Sequence, residues 1–150
     1  MCSEPTKNEP YRTLLTAKNR LEVLTADDWA LLAEKSEVMN FSNEEVIIQA
    51  GVRPRHLFFI LNGNALIESA RGTRLTEVSG GDVCGEMSFL EDTIASARVV
   101  AEGKVETLAI EWTALDQLFE KYPDLGSRFF HSLAIKLSHR LRSQVSRPRG

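Results

Sequence analysis

The sequence predicts a mainly β domain with helices at both ends. From Ser36 to Trp112, short runs rich in Val, Ile, Phe and Leu alternate with turn clusters. Most of these clusters lie roughly 8–12 residues apart, which is the spacing of antiparallel hairpins in a sandwich or barrel. On either side of this region, apolar residues recur at three- and four-residue steps, as on one face of a helix. We therefore expect a helix, a β unit of about eight strands and a pair of C-terminal helices.

Length and composition indicate one ordinary globular domain. The chain has 150 residues, of which 43% are hydrophobic and 26% charged, and its net charge is −3. This composition is typical of a soluble fold with its own core. The small negative charge gives no bulk attraction to nucleic acid. The longest apolar run, Leu57 to Leu61, is far too short to cross a bilayer.

The first residues, Met1 to Lys7, lack the apolar stretch of a secretory signal. We therefore expect a cytoplasmic location, no membrane attachment, and reduced thiols at Cys2 and Cys84. The three histidines are scattered along the chain, so no metal site is expected.

The first helix of the domain has a clear start signal. We expect an N-terminal arm over residues 1–19 and a single domain over 20–150. Thr25 is a suitable N-cap, and Asp27 and Asp28 suit the positive end of the helix dipole. The apolar face of this helix is formed by Trp29, Leu32 and Ala33.

The β region, about 36–112, is divided by residues that favour turns. Its single proline, Pro54, lies in such a cluster, where a sheet tolerates it. We expect hairpin turns at Asn62-Gly63 and Arg71-Gly72, because Gly and Asn accept positive φ.

Two C-terminal helices, over about 113–146, are expected after the β region. Thr113 is predicted to cap the first of them, and Pro123 to end it. Asp124 then begins a longer helix that runs to about Val145.

The most informative segment runs from Gly81 to Leu90 and continues at Ala95 to Ala101. It contains a Gly-Asp turn, a Gly-Glu step, a short loop and a Ser-Ala strand start. In order and spacing it resembles the phosphate-binding cassette of cyclic nucleotide-binding domains. The segment Leu57 to Gly63 is similar to the family's third strand and turn. The resemblance, over roughly residues 20–145, implies an eight-stranded antiparallel β-roll, a jelly-roll type of fold, flanked by an N-terminal helix and two C-terminal helices.

The resemblance also implies a ligand site. In the family, the glutamate of the cassette, here Glu86, accepts a hydrogen bond from a ribose hydroxyl. An alternative is that Glu86 accepts backbone N–H groups and only holds the loop. The amides of Gly85 and Met87 are candidates to face an anion, although Gly85 also suits a plain turn. The full set of candidate ligand-binding residues is Gly85, Glu86, Met87, Ala95, Ser96 and Ala97.

One residue departs from the family pattern. The family has an arginine before its Ser-Ala or Ala-Ala pair, where the guanidinium binds the cyclic phosphate, and here that position is Ala95. Losing such a charge-assisted pair costs on the order of 2–5 kcal/mol. Arg98 lies three residues further along a predicted strand, on the opposite face. We therefore expect cAMP and cGMP binding to be weak or lost.

The last helix carries two apolar stripes. Phe129, Leu133 and Leu137 should pack on the β unit, whereas a second stripe has the spacing of a short coiled-coil seam. By similarity to dimeric family members, the seam is expected to join a homodimer or higher homo-oligomer; the alternative is that both stripes are core. The predicted oligomer interface consists of Phe130, Ala134, Leu137 and Leu141.

The end of the chain is basic, which suits a helix C-terminus or an acidic partner. No DNA-reading helical unit follows, so direct DNA binding is not expected. The basic residues are Lys136, His139, Arg140, Arg142, Arg147 and Arg149.

These features predict a regulatory, ligand-sensing module and not an enzyme, because the sequence shows no nucleophile–base pair, metal cluster or P-loop. No cofactor is expected other than a cyclic nucleotide ligand. One alternative is a degenerate domain that acts as an oligomeric scaffold or protein-docking module. Another is a thiol redox sensor at Cys84, although a small buried hydrophobe is the simpler reading of that cysteine.

Overall fold

The computed structural model describes residues 14–15 and 21–145. Within them, six strands form one antiparallel sheet and four helices flank it. The elements are α1 (Ala26–Glu34), β1 (Ser36–Phe41), β2 (Val46–Ile48), β3 (His56–Ser69), β4 (Arg74–Ser79), β5 (Val83–Cys84), α2 (Glu86–Glu91), β6 (Ala97–Glu111), α3 (Trp112–Lys121) and α4 (Pro123–Val145).

The sheet is built around two long strands. Its order is β1-β6-β3-β4, with β2 also paired to β6 and β5 to β3. The β3–β6 ladder runs from His56 opposite Glu111 to Ser69 opposite Ala97. This is the predicted β-roll with helices at both ends, and it begins at Ser36 as expected.

The number of strands differs from the expected eight. Asn62-Gly63 is not a hairpin turn: it lies inside β3, where the β3–β6 register shifts twice between Ile60 and Asn64. Gly103 similarly lies inside β6. Both glycines have positive φ, which lets a strand bend sharply without ending. The other expected turn, Arg71-Gly72, does connect β3 to β4.

Two apolar cores lie on the two sides of β3. Leu57, Phe59 and Leu61 face the outer core, between the sheet and the helices. Phe58 and Ile60 face the inner core, enclosed by the roll. Side chains alternate across a strand, so a strand covered on both faces is apolar at every position. This explains the longest apolar run of the sequence.

Helix α1 begins as the sequence predicts. The Thr25 hydroxyl accepts a hydrogen bond from the Asp28 amide, and the Asp28 carboxylate accepts one from the Thr25 amide, which forms a capping box. Asp28 also accepts two hydrogen bonds from Arg128 of α4, at 2.6 and 2.8 Å. This clamp fixes α1 against α4. The predicted face of α1 is buried, with Trp29 edge-on to Phe59 at 5.1 Å between ring centres.

The C-terminal helices differ slightly from expectation. Thr113 is not the cap of α3, because Glu111 holds that position and the helix already begins at Trp112. Helix α3 ends at Lys121, and Pro123 is the first residue of α4, where its missing N–H is not needed.

The N-terminal arm predicted over residues 1–19 lies outside the described residues except for Leu14 and Leu15. Leu14 is fully buried in the outer core, so the chain packs on the domain at that position.

Candidate functional site

The cassette begins with a tight turn that ends β4. The Asp82 carboxylate accepts a hydrogen bond from the Ser79 amide at 2.8 Å, and the Asp82 amide donates one back to the Ser79 carbonyl at 2.9 Å. Strand β5 follows at once, and Cys84 lies opposite Phe58 of β3. The Gly-Asp step therefore fixes where the next residues meet the sheet.

Gly85 makes the transition from β5 to α2. Its φ is +88°, in the left-handed region, and it occupies the N-cap of α2. A Cβ at this position would lie 3.2 Å from Cδ1 of Ile48 and 3.5 Å from the His56 carbonyl oxygen. Both the backbone conformation and the close approach therefore favour glycine here.

Glu86, the first residue of α2, is a buried acid, with 5% of its surface exposed. Burial raises the pKa of its carboxyl above the usual 4.5, and the nearby Asp82 acts in the same direction. Its own backbone N–H, Arg140 and Lys136 act in the opposite direction and favour the carboxylate. Glu86 is thus a buried carboxyl whose pKa is raised by burial and opposed by two nearby cations.

The last helix places two cations on the cassette. Lys136 Nζ lies 3.0 Å from Asp82 Oδ1, and Arg140 Nη1 lies 3.7 Å from Glu86 Oε1. The two cations are four residues apart, one turn along the same face of α4. Sequence reasoning treated them only as part of a basic helix end. Their i, i+4 spacing was the available signal that they act together.

Ala95 lies where the family has its phosphate-binding arginine, and it is buried, with 5% exposed. Its methyl group packs in the inner core. Its carbonyl accepts from the Gly51 amide at 2.8 Å, and its amide donates to the Val52 carbonyl at 3.0 Å. The backbone at this point is therefore held by the turn after β2, and the side chain supplies no charge.

The other candidate ligand residues differ in how far their side chains are exposed to solvent. Met87 is 54% exposed, Ser96 is exposed and Ala97 is half-buried. Only Glu86 and Ala95 of the predicted set have buried side chains, and Gly85 contributes through its backbone.

Arg98 does not replace the missing arginine. Its guanidinium donates to Glu68 Oε1 at 2.9 and 3.2 Å, and the two residues are partners in the β3–β6 ladder. The expectation that Arg98 lies on the other face agrees with this pairing, since its neighbour Val99 packs in the inner core.

Cys84 is part of the inner core. Burial raises the pKa of its thiol, and the nearby Glu86 and Asp82 raise it further. A reactive thiol needs the opposite shift. Among residues 14–15 and 21–145, no group of His, Cys, Asp and Glu side chains is placed to hold a metal ion.

A cavity of about 480 Å³ lies beside the cassette, between β4 and α4. Its walls include Val78 of β4 and Ile135 of α4, and its polar lining includes Asp82, Lys136 and Arg140. Asp82 and both cations of the two ion pairs thus belong to the lining of an open pocket.

The two stripes of α4 behave differently. Phe129 and Leu133 are buried in the outer core, as predicted. Phe130 is 41% exposed and Leu141 61% exposed; Ala134 is also exposed, and Leu137 is half-buried. The predicted seam is therefore available on the surface of a single chain. In the described part of the chain, no helix is long and apolar enough to span a membrane.

A β-roll closed by a C-terminal helix, with a glycine–glutamate loop leading into a short helix, defines a ligand-binding regulatory domain. The sequence model of the family described as "Cyclic nucleotide-binding domain" matches residues 38–122, which is more than half of the chain. The chain therefore belongs to the cyclic nucleotide-binding domain family, as its cassette predicted.

Two curated relatives and one solved structure show how far the similarity extends. The chain is 25% identical over 129 residues to cyclic GMP-binding protein C of Dictyostelium discoideum, covering 83% of this chain and 5% of that protein. It is 29% identical over 129 residues to glutaminase 1 of Bradyrhizobium diazoefficiens, covering 86% of this chain and 21% of that protein. The chain thus spans only a small part of either relative.

The solved structure is a cyclic nucleotide-binding domain from Methylobacillus flagellatus. It superposes with a TM-score of 0.78 at 20% identity, covering 91% of this chain and 80% of that one. This similarity shows the fold. The matched family is a ligand-binding domain and not a catalytic one.

Proposed function

We propose that this chain is a ligand-sensing regulatory module whose affinity for cAMP and cGMP is weak or lost. A single observation carries the proposal: the cassette keeps its buried Glu86 but has the apolar Ala95 where the phosphate-binding arginine belongs. The ribose side of the family's site is therefore retained, and its anion-binding side is not.

The size of the expected defect follows from the chemistry of the missing group. A guanidinium binds a phosphate with two charge-assisted hydrogen bonds, which a methyl group cannot replace. A loss of about 2–5 kcal/mol, at about 1.4 kcal/mol per tenfold, moves a micromolar site to between the tens of micromolar and the millimolar range. The next arginine along the chain, Arg98 of β6, already donates to Glu68.

The test is calorimetric titration of the intact chain and of Ala95→Arg with cAMP and cGMP. We expect the unmodified chain to bind no more tightly than the tens of micromolar, and we expect at least a tenfold gain in Ala95→Arg. Ala95→Met is the matched control, because it adds similar length without charge, and it should show no gain. Thermal melts of all three report whether the buried site accepts the longer side chains.

Two results would overturn the proposal. Micromolar binding by the unmodified chain would show that another group supplies the positive charge. A folded Ala95→Arg that binds no better than Ala95→Met would show that the roll no longer holds a site for the ligand.

A second property, self-association, is favoured by the exposed seam of α4. Phe130 is 41% exposed and Leu141 is 61% exposed in a single chain. A second copy that pairs along α4 would cover the exposed part of both side chains. We propose a homodimer through Phe130, Ala134, Leu137 and Leu141, which light scattering on the intact chain tests.

A further inference from the structure

The cavity between β4 and α4 carries no surplus of positive charge. Three carboxylates line it, and only two permanently charged cations do so. The carboxylates are those of Glu22, Glu77 and Asp82, and the cations are Lys136 and Arg140. A phosphate-bearing ligand prefers a site with a net positive field, and this cavity does not provide one.

Both cations are also already paired. Lys136 lies on Asp82 at 3.0 Å, and Arg140 lies on Glu86 at 3.7 Å. An incoming anion would have to separate one of these pairs, and it would leave a carboxylate without its cation in a mostly buried place. The free energy gained from the new contact would be offset by the free energy lost when the existing ion pair is broken.

The same cavity suits an uncharged molecule with hydroxyl groups. Val78 and Ile135 offer apolar wall, while Thr76 and the carboxylate of Asp82 offer hydrogen-bond acceptors. Its volume of about 480 Å³ falls inside the range of about 300–1,000 Å³ that small-molecule pockets occupy. A flat ring against the apolar wall, with hydroxyls toward Asp82 and Lys136, would leave the existing ion pairs intact.

We propose that the ligand of this module is uncharged and of the nucleoside class, a ribose attached to a flat heterocycle, and not a cyclic nucleotide. The proposal rests on the proposed function, since it takes the cavity beside the cassette as the sensing site. It follows from two separate observations: the apolar Ala95 in the cassette and the lack of a positive surplus in the cavity.

The first experiment compares matched ligands on the intact chain. Adenosine and guanosine are titrated beside cAMP and cGMP at about 0.05 and 0.5 M salt. We expect each nucleoside to bind at least tenfold more tightly than its cyclic nucleotide, with an affinity that changes less than about twofold with salt. Equal or tighter binding of the cyclic nucleotide would overturn the inference, and so would no binding of either nucleoside.

The second experiment locates the ligand with two half-buried apolar residues, one inside and one outside the cavity. Ile135 and Leu31 are both half-buried, but only Ile135 belongs to the walls of the cavity. Ile135→Ala should weaken adenosine binding about fivefold or more, and Leu31→Ala less than about twofold. Equal effects of the two variants would place the ligand elsewhere and overturn the inference.

Failure of this inference is distinguishable from failure of the proposed function. If Ala95→Arg gains cyclic nucleotide binding while the unmodified chain does not bind nucleosides, the proposed function holds and this inference is wrong. The site would then be a cyclic nucleotide site that lacks only its positive charge. If Ala95→Arg gains nothing and nucleosides do not bind, both proposals are wrong.

Discussion

The two cores of this domain are built from different side chains. The outer core, between the sheet and the helices, contains Trp29, Phe59 and Phe129 and many leucines. The inner core, enclosed by the roll, has four alanines and a cysteine among its buried residues. Those small residues are Ala65, Cys84, Ala95, Ala101 and Ala109.

This difference divides the hydrophobic stabilisation unequally between the two cores. Large side chains bury more apolar surface per residue, so most of the hydrophobic stabilisation lies in the outer core. Each small side chain of the inner core adds little apolar burial. A substitution among these small residues, including Ala95 of the proposed ligand site, therefore has a low cost in folding free energy.

The largest expected effect is on the outer core. Phe129 is fully buried and its neighbour Phe130 is 41% exposed. Phe129→Ala should lower the free energy of unfolding by about 3–5 kcal/mol, because it removes a ring and leaves a cavity. Denaturant unfolding measures the loss, and Phe130→Ala, its half-exposed neighbour, should lose less, about 1–2 kcal/mol, because its ring is partly in solvent although it also contacts Phe89 and Phe119. Similar losses in both would contradict the assignment of the outer core as the main source of stability.

The clamp between α1 and α4 should have the next largest effect. Asp28→Asn breaks a nearly buried carboxylate–guanidinium pair and should cost about 1–3 kcal/mol at neutral pH, toward the lower end because Arg128 is 37% exposed. Asp27→Asn, next to it and exposed, should cost less than about 0.5 kcal/mol.

The clamp also predicts a pH dependence. Burial alone would raise the pKa of Asp28, but the hydrogen bonds from Arg128 and Thr25 outweigh it and hold the pKa below the usual 3.8. Stability from this group is therefore present above pH 3.8 and is lost as the pH falls through the lower value of the folded state. The unmodified chain should lose more stability over this range than Asp28→Asn. Parallel curves would show that Asp28 titrates normally.

A smaller effect is expected in the inner core. Cys84→Ala should lower stability by about 1 kcal/mol, the scale of one buried methylene-sized group. In a Cys2→Ser background, iodoacetamide should label Cys84 only as fast as the chain unfolds, because burial raises the thiol pKa and blocks access. Rapid labelling of the folded chain would instead support the redox-sensor alternative.

The smallest effect on folding is expected beyond both cores. Leu141 is 61% exposed at the far end of α4, so Leu141→Glu should change the stability of one chain by less than about 0.5 kcal/mol. If the seam joins two copies, light scattering should give the mass of at least two chains, and Leu141→Glu should lower it. A single-chain mass for the unmodified protein at tens of micromolar would reject the seam.

Sequence reasoning predicted the fold well because its signals were local. The N-cap at Thr25, the start of the β region at Ser36 and the helix break at Pro123 each depend on a few adjacent residues. The count of eight strands was not confirmed, because a glycine in a turn and a glycine in a bulge look the same in sequence. Gly63 and Gly103 bend long strands, and only the pairing partner distinguishes the two cases.

The site was predicted only in part, because its charges come from two distant segments. The cassette gave Gly85, Glu86 and Ala95 from its own pattern. Asp82 and Glu86 meet Lys136 and Arg140 across about fifty residues of sequence, and such a pairing depends on how α4 lies over the roll. Helical spacing placed the two cations on one face but did not identify which surface that face would meet.

Strand β3 forms part of both cores, so the unfolding of one core is coupled to the unfolding of the other. Opening the outer core would uncover Leu57, Phe59 and Leu61 and loosen the strand that also carries Phe58 and Ile60 into the inner core. Neither core can therefore unfold while the other stays intact. The helices and the roll should therefore unfold in one cooperative step, and the amides of β3 should exchange with solvent hydrogen only when the whole domain opens.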